Sequence, residues 1–169
     1  MFEALVHLPT WPLINLAALC IYILTVKRLT VFSFVFVGTL ILDALHLGAE
    51  YYFISLNVLH QFDTVLFVSW YVFFGLTDLL FVALIVWWSS NLKMALDWSS
   101  KGVITLYLFM GLLQLVTLFA RLFFYWESFD TIHNLLIVIS NYTVSVLLLG
   151  HVAVVACLKM FSNNYRNYS

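Results

Sequence analysis

The feature that most constrains this chain is a succession of five apolar stretches, each close to the length of a helix that crosses a bilayer. They cover residues 11–26, 30–52, 64–88, 103–126 and 131–160. A hydrocarbon core about 30 Å thick takes about 20 residues of α-helix. Because backbone polar groups in lipid must bond to each other, such stretches fold as helices. The first stretch is the shortest, and Pro12 suits its beginning.

The composition agrees with a membrane protein. The chain has 169 residues, of which 64% are hydrophobic and only 9% charged, whereas soluble domains are about 25% charged. We therefore predict an all-α integral membrane protein with the lipid bilayer as its surroundings. Its five transmembrane helices form one domain over residues 1–160, and residues 161–169 form a short polar cytoplasmic tail. A net charge of −1 without a basic run gives no reason to expect nucleic acid as a partner.

The basic residues predict an orientation. Six of the seven lie in alternate gaps between the stretches or at the end of the chain, and these are Lys27, Arg28, Lys93, Lys101, Lys159 and Arg166. Cytoplasmic loops carry an excess of Lys and Arg. We therefore expect the N-terminus outside, the C-terminus in the cytoplasm, and a multi-pass protein of the cytoplasmic (inner or plasma) membrane.

Polar residues inside the apolar stretches mark the candidate site. Such residues are costly in lipid and usually face a protein interior or a cavity. Within each stretch they recur at spacings of three, four or seven, which places them on one helix face. The predicted orientation puts most of them in the outer half. We expect an outward-facing pocket, closed on the cytoplasmic side, lined by Asp43, His46, Glu50, Tyr71, Asp78, Gln114, Arg121 and Asn141.

The acids and the histidine suggest what this pocket would bind. Asp78 and Asp43 would supply negative charge for a small cationic or polar solute, and His46 would exchange protons with its acidic neighbours. Asp78 is the strongest candidate, because it is the deepest acid and has no base in its own stretch. The alternative for Asp78 is a protonated side chain hydrogen-bonded between helices.

The remaining candidates have structural alternatives. Arg121 would orient Glu50 or an anionic group of a ligand, or it would form an ion pair that only ties two helices together. Gln114 and Asn141 would fix a ligand by hydrogen bonds, or they would join helices to each other. Tyr71 would line the pocket or pack in the core.

Three further expectations concern residues outside the pocket. His133 should be a solvated residue near the outer edge of the fifth stretch. Cys20 and Cys157, which have no CxxC partner, should be small buried side chains. A stripe of small residues on the fifth stretch should pack closely within the bundle, or else form a homo-oligomer contact. The stripe comprises Thr143, Gly150, Ala153 and Cys157.

These observations leave three classes of function open. The preferred one is a small membrane protein that binds a small polar or cationic solute, or protons, for transport or sensing. The second is a non-catalytic membrane subunit that packs with partner proteins or with itself, its polar residues being structural. The third is an intramembrane enzyme that uses His46 with acids. We expect no metal and no cofactor, and the sequence contains no GxSxG or HExxH motif.

Overall fold

The protein is an all-α bundle in a computed structural model that describes residues 10–26, 30–60, 64–124 and 128–166. Within these ranges the chain forms five α-helices and no β-strand. The helices are α1 (Thr10–Val26), α2 (Val31–His60), α3 (Thr64–Asn91), α4 (Trp98–Phe124) and α5 (Ser128–Arg166). The predicted all-α class is confirmed. Helices α2 to α5 are long and apolar enough to cross a membrane, which indicates a multi-pass protein in a lipid bilayer.

Helix α1 differs from the other four. Its 17 residues span about 25 Å at the rise of an α-helix, which is less than the hydrocarbon thickness of a bilayer. It nevertheless packs as part of the bundle, with Asn15, Ala18 and Tyr22 buried. Whether α1 crosses the membrane therefore stays a prediction.

Helices α2 to α5 each extend beyond the predicted apolar stretch at one end or both, and side chains close the starts of α2 and α4. Asp97 precedes α4, and its Oδ1 accepts the Ser100 backbone N–H at 2.9 Å, so α4 begins before residue 103. Thr30 precedes α2, and its Oγ1 accepts the Ser33 N–H at 3.2 Å. Both are N-caps that satisfy otherwise unbonded amides. Helix α5 continues to Arg166, into the segment predicted as a tail.

The five helices form a ring in chain order. Each helix packs against the next one, α1 closes the ring by packing against α5, and α2 also touches α4 across it. Short connections make successive helices run in opposite directions. One end of the bundle therefore contains the starts of α1, α3 and α5 and the ends of α2 and α4, and we call it the Glu50 end. The opposite end is the His151 end.

Close approach of two glycines holds α3 against α4, the most extensive helix pair. A Cβ added to Gly111 would lie 3.0 Å from the Gly75 carbonyl oxygen and 3.1 Å from Asp78 Cβ. A Cβ added to Gly75 would lie 3.2 Å from the Gly111 carbonyl oxygen. Small residues let membrane helices approach each other in this way, and here they bring α4 directly beside Asp78.

The apolar core is concentrated toward the His151 end. Its largest fully buried apolar side chains belong to α2, α4 and α5, and they are Phe32, Val35, Phe36, Val103, Tyr107, Val144 and Leu148. At the end itself, the His151 ring stacks on Phe32 with centroids 3.7 Å apart. Its Nδ1 lies 3.2 Å from Ser99 Oγ. This half of the bundle is closed by packing.

One prediction about α1 and α5 is wrong, since Cys20 and Cys157 are exposed rather than buried. The stripe of Thr143, Gly150, Ala153 and Cys157 also faces outward, and a Cβ added to Gly150 would meet nothing within 4 Å. The stripe therefore does not pack within the bundle, and the alternative, a homo-oligomer contact, stays a prediction. The buried face of α5 carries Ser140 and Ser145 instead. In a helix that is apolar all round, small residues alone do not identify the packed face, because lipid accepts small side chains as well.

Candidate functional site

A cavity of about 290 Å³ lies in the Glu50 half of the bundle. This volume is close to the lower limit of typical small-molecule sites, about 300 Å³. All five helices contribute to the wall. The lining residues are Pro12, Asp43, His46, Leu47, Glu50, Trp70, Phe74, Asp78, Met110, Gln114, His133, Asn134, Ile137, Val138 and Asn141. We call it the acidic cavity, because three carboxylic acids line it and none of its lining residues is Lys or Arg.

Six of the eight predicted site residues line this cavity. They are Asp43, His46, Glu50, Asp78, Gln114 and Asn141. The helical spacing brings them together, since residues three, four or seven apart share a face and each face turns toward the centre of the ring. Their proposed role in binding stays a prediction.

Asp43 is a satisfied acid. Its Oδ1 accepts the Tyr107 hydroxyl at 3.2 Å, and its Oδ2 accepts Asn15 Nδ2 at 3.4 Å. Tyr107 and Asn15 are themselves almost completely buried, with 2% and 0% of their surface exposed. Asp43 thus ties α2 to α4 and to α1 in the wall of the cavity, and the Phe81 ring packs on Tyr107 behind it.

Asp78 is a buried acid with an unused acceptor. Only 3% of its surface is exposed, and its Oδ1 accepts no hydrogen bond from any residue that the structure describes. The nearest cationic candidate is His46, whose Nε2 lies 3.7 Å from that oxygen, which is beyond hydrogen-bond length. Because buried polar atoms are normally bonded, an acceptor without a described donor is unusual in the wall of a cavity.

His46 is held away from Asp78 by a threonine. Its Nε2 lies 2.8 Å from Thr77 Oγ1, and the Thr77 hydroxyl donates to the Phe73 carbonyl at 2.8 Å. A hydroxyl has one proton to donate, so Thr77 Oγ1 accepts and His46 Nε2 carries the hydrogen. The edge-to-face contact between the His46 and Phe74 rings, 4.8 Å between centroids, fixes the imidazole further.

Tyr71 and Arg121 line a second, neighbouring cavity of about 370 Å³. The Arg121 guanidinium lies 5.5 Å from the centre of the Phe67 ring. The two cavities share Trp70 and Asn134 in their walls. The single pocket expected from the sequence is therefore divided into an acidic part and a part that contains Arg121.

His133 corrects one prediction. It is 5% exposed rather than solvated, and its Nε2 donates to Gln114 Oε1 at 3.1 Å. The hydrogen bond joins α5 to α4 at the side of the cavity. A signal was present in the sequence, since Ser140, which is also buried, lies seven residues later and therefore on the same helix face.

Trp70 and Phe74 are cavity residues that the sequence did not identify. Their rings pack with centroids 5.0 Å apart and form an aromatic corner in the cavity wall. In a chain this rich in aromatic residues, no local pattern separates a ring in a cavity wall from one that faces lipid.

Among the described residues, no group of three His, Cys, Asp or Glu side chains is arranged to hold a metal ion.

No family model, curated protein or solved structure matches this chain. The candidate function therefore depends on the cavity itself.

Proposed function

We propose that this protein binds a small polar or cationic solute in the acidic cavity, as a membrane transporter or sensor. The observation that carries the proposal is the buried Asp78 carboxyl group, which belongs to the wall of the acidic cavity and whose Oδ1 accepts no hydrogen bond from a described residue. A carboxyl group in this position is satisfied when a positively polarised group enters the cavity.

The composition of the cavity wall supports a cationic solute over an anionic one. Asp43, Glu50 and Asp78 line the cavity, and the nearest guanidinium, that of Arg121, lines the neighbouring cavity. Charges in a cleft with low-dielectric walls act strongly on an entering ion, because little water screens them. The amides of Gln114 and Asn141 offer hydrogen bonds that orient a solute.

The basic residues support an orientation in which the cavity opens away from the cytoplasm. Lys93 lies in the connection between α3 and α4, and Lys101 lies in the first turn of α4, both at the His151 end. Lys159 donates to the Thr25 carbonyl at the same end. Positive-inside logic places this end in the cytoplasm of a cell with an inner or plasma membrane. Five spans then put the N-terminus outside. Transport across the membrane would require the packed His151 half of the bundle to open.

Cysteine labelling tests whether the cavity admits charged solutes. In a background where Cys20 and Cys157 are replaced by Ser, we would introduce Asn141→Cys in the cavity wall. As a matched control, Thr143→Cys lies two residues along the same helix but on its outer face. Two water-soluble methanethiosulfonate reagents of similar size, one with a trimethylammonium group and one with a sulfonate group, would be applied to intact vesicles.

We expect the cavity cysteine to react with the cationic reagent at least about tenfold faster than with the anionic one, because the acids attract cations. The Thr143→Cys control should react slowly with both reagents, because its side chain faces outward toward the lipid, where charged reagents are scarce. Absence of labelling at Asn141→Cys would contradict the proposal. It would favour the alternative function, a non-catalytic subunit whose polar residues only lock its helices together.

A separate labelling experiment tests the orientation. A short epitope tag inserted between residues 57 and 63 should be reached by antibody from outside the intact cell, and a tag after residue 169 only after permeabilisation. Labelling of the first tag from the cytoplasmic side alone would overturn the proposed orientation without bearing on the cavity.

A further inference from the structure

We propose that the solute of the acidic cavity is a protonated organic amine whose ammonium group donates an N–H hydrogen bond to Asp78. This inference depends on the proposed function, since it names the chemical class of the solute that the cavity would bind. Besides a positive charge, the solute would need an N–H donor and an apolar body.

The need for an N–H donor follows from the surroundings of Asp78. Its Oδ1 has no donor within the described residues, and the side-chain nitrogen His46 Nε2 is 3.7 Å away. That nitrogen already donates to Thr77. Charge-assisted hydrogen bonds are about twice as strong as neutral ones, so an ammonium ion matches this acceptor better than a hydroxyl group does.

A bare metal ion matches the cavity poorly. Hard cations take six or more oxygen ligands, whereas both carboxylate oxygens of Asp43 already accept hydrogen bonds from Tyr107 and Asn15. Asp78 would remain as the main inner ligand, and the described residues contain no group of three metal-ligating side chains around it.

The need for an apolar body follows from the rest of the wall. Leu47, Met110, Ile137 and Val138 line the cavity, and Trp70 and Phe74 form its aromatic corner. Aromatic faces attract cations and also pack against apolar groups. The cavity of about 290 Å³ therefore suits an amine with a small hydrocarbon or aryl group.

Three probes of nearly equal size separate these requirements. They are 2-phenylethylamine, its N,N,N-trimethyl derivative, which keeps the charge but has no N–H, and 2-phenylethanol, which has a donor but no charge. Binding to the full chain in lipid nanodiscs would be measured by calorimetry, with empty nanodiscs subtracted because all three probes enter lipid.

We expect the primary amine to bind at least about tenfold more tightly than either of the other probes, which corresponds to about 1.4 kcal/mol. Equal or tighter binding of the trimethyl compound would overturn the inference, because an aromatic corner and negative charge would then suffice, while the proposed function would stand. Equal binding of the alcohol, or no binding of the amine at millimolar concentrations, would also overturn it. The cysteine labelling described above would still decide whether the cavity takes charged solutes.

The variant Asp78→Asn tests the residue. It replaces the ionisable carboxyl group by a neutral amide at nearly constant volume, and we expect it to abolish the preference for the amine over the alcohol. The control Asp97→Asn makes the same change at the His151 end, where Asp97 caps α4, and should leave the preference intact. If Asp78→Asn keeps the preference for the amine, the amine binds elsewhere and the inference is contradicted. If the variant does not fold, the comparison of the three probes on the unmodified protein decides whether the solute is an amine.

Discussion

Asp43 and Asp78 face the same cavity from neighbouring helices, and both are almost completely buried, with 8% and 3% of their surface exposed. Their surroundings differ. Asp43 accepts hydrogen bonds on both carboxylate oxygens, from Asn15 and from Tyr107, whereas Oδ1 of Asp78 accepts none from the described residues. The same side chain, buried to a similar extent, is therefore a structural connection in one helix and an acceptor without a described donor in the next.

The difference shows how a membrane protein separates stability from binding. A buried acid whose partners belong to the protein joins helices, and its removal leaves those partners without a bond. A buried acid whose partner is missing contributes little to holding the helices together, and it is available to a solute. Four substitutions test this distinction through the free energy of unfolding in detergent micelles, and they follow in order of decreasing expected effect.

The largest loss is expected for Asp43→Ala. It removes two hydrogen bonds and leaves the buried donors of Tyr107 and Asn15 unsatisfied, so we expect the free energy of unfolding to fall by about 2–4 kcal/mol. Asp43→Asn keeps one acceptor oxygen and should lose about half as much. A loss below about 1 kcal/mol for Asp43→Ala would contradict the structural role of Asp43.

The next effect is expected for Gly111→Ala. Its Cβ would meet the Gly75 carbonyl oxygen and Leu79 Cγ, both at 3.0 Å, so α4 has to move away from α3 beside Asp78. Overpacking of this kind costs about 1–3 kcal/mol. Gly150→Ala is the matched control, because its Cβ would meet nothing within 4 Å, and its stability should be unchanged or rise by up to about 1 kcal/mol. Equal effects of the two substitutions would contradict the close approach of α3 and α4.

A smaller loss is expected for Tyr107→Phe, which removes one of the two donors to Asp43. The remaining oxygen keeps its bond to Asn15, so we expect a loss of about 1–2 kcal/mol. The control Tyr51→Phe removes a hydroxyl from a side chain that is 71% exposed and should change stability by less than about 0.5 kcal/mol. Calorimetry with 2-phenylethylamine should show that the Tyr107 variant still binds it, and loss of binding would mean that Tyr107 belongs to the site.

The smallest effect on stability is expected for Asp78→Asn. No hydrogen bond from a described residue to Oδ1 is lost, so stability should stay within about 0.5 kcal/mol of the original. The identical change in Asp43→Asn serves as its comparison and should cost about 1–2 kcal/mol. Equal costs at both positions would remove the distinction between the two aspartates.

Much of the architecture was predictable from the sequence, because the length and apolarity of a stretch determine whether a helix spans lipid. Helical spacing also indicated that Asp43, His46 and Glu50 share a face, and the structure places that face on the acidic cavity. The Asp97 cap explains why α4 begins before the predicted stretch, since a polar capping residue lies outside an apolar stretch and does not add to its apolarity.

The distinction between the two aspartates was not predictable. The partners of Asp43 lie 28 and 64 residues away in the chain, and only the packing of α1 and α4 against α2 brings them together. The separation of Arg121 from the acidic cavity has the same origin. Helical phase gives the direction of a side chain around one helix, but it does not give the neighbour that the side chain meets.

The closed ring has a consequence for the order in which the protein is assembled. Helix α1 packs against α5, and Lys159 of α5 bonds to the Thr25 carbonyl of α1, 134 residues away. Helix α1 is synthesised before the other four described helices, so it acquires one of its two neighbours only after α5 has been made. His133, Ile137 and Asn141 belong to α5. The wall of the acidic cavity is therefore completed only when α5 packs against α1 and α4.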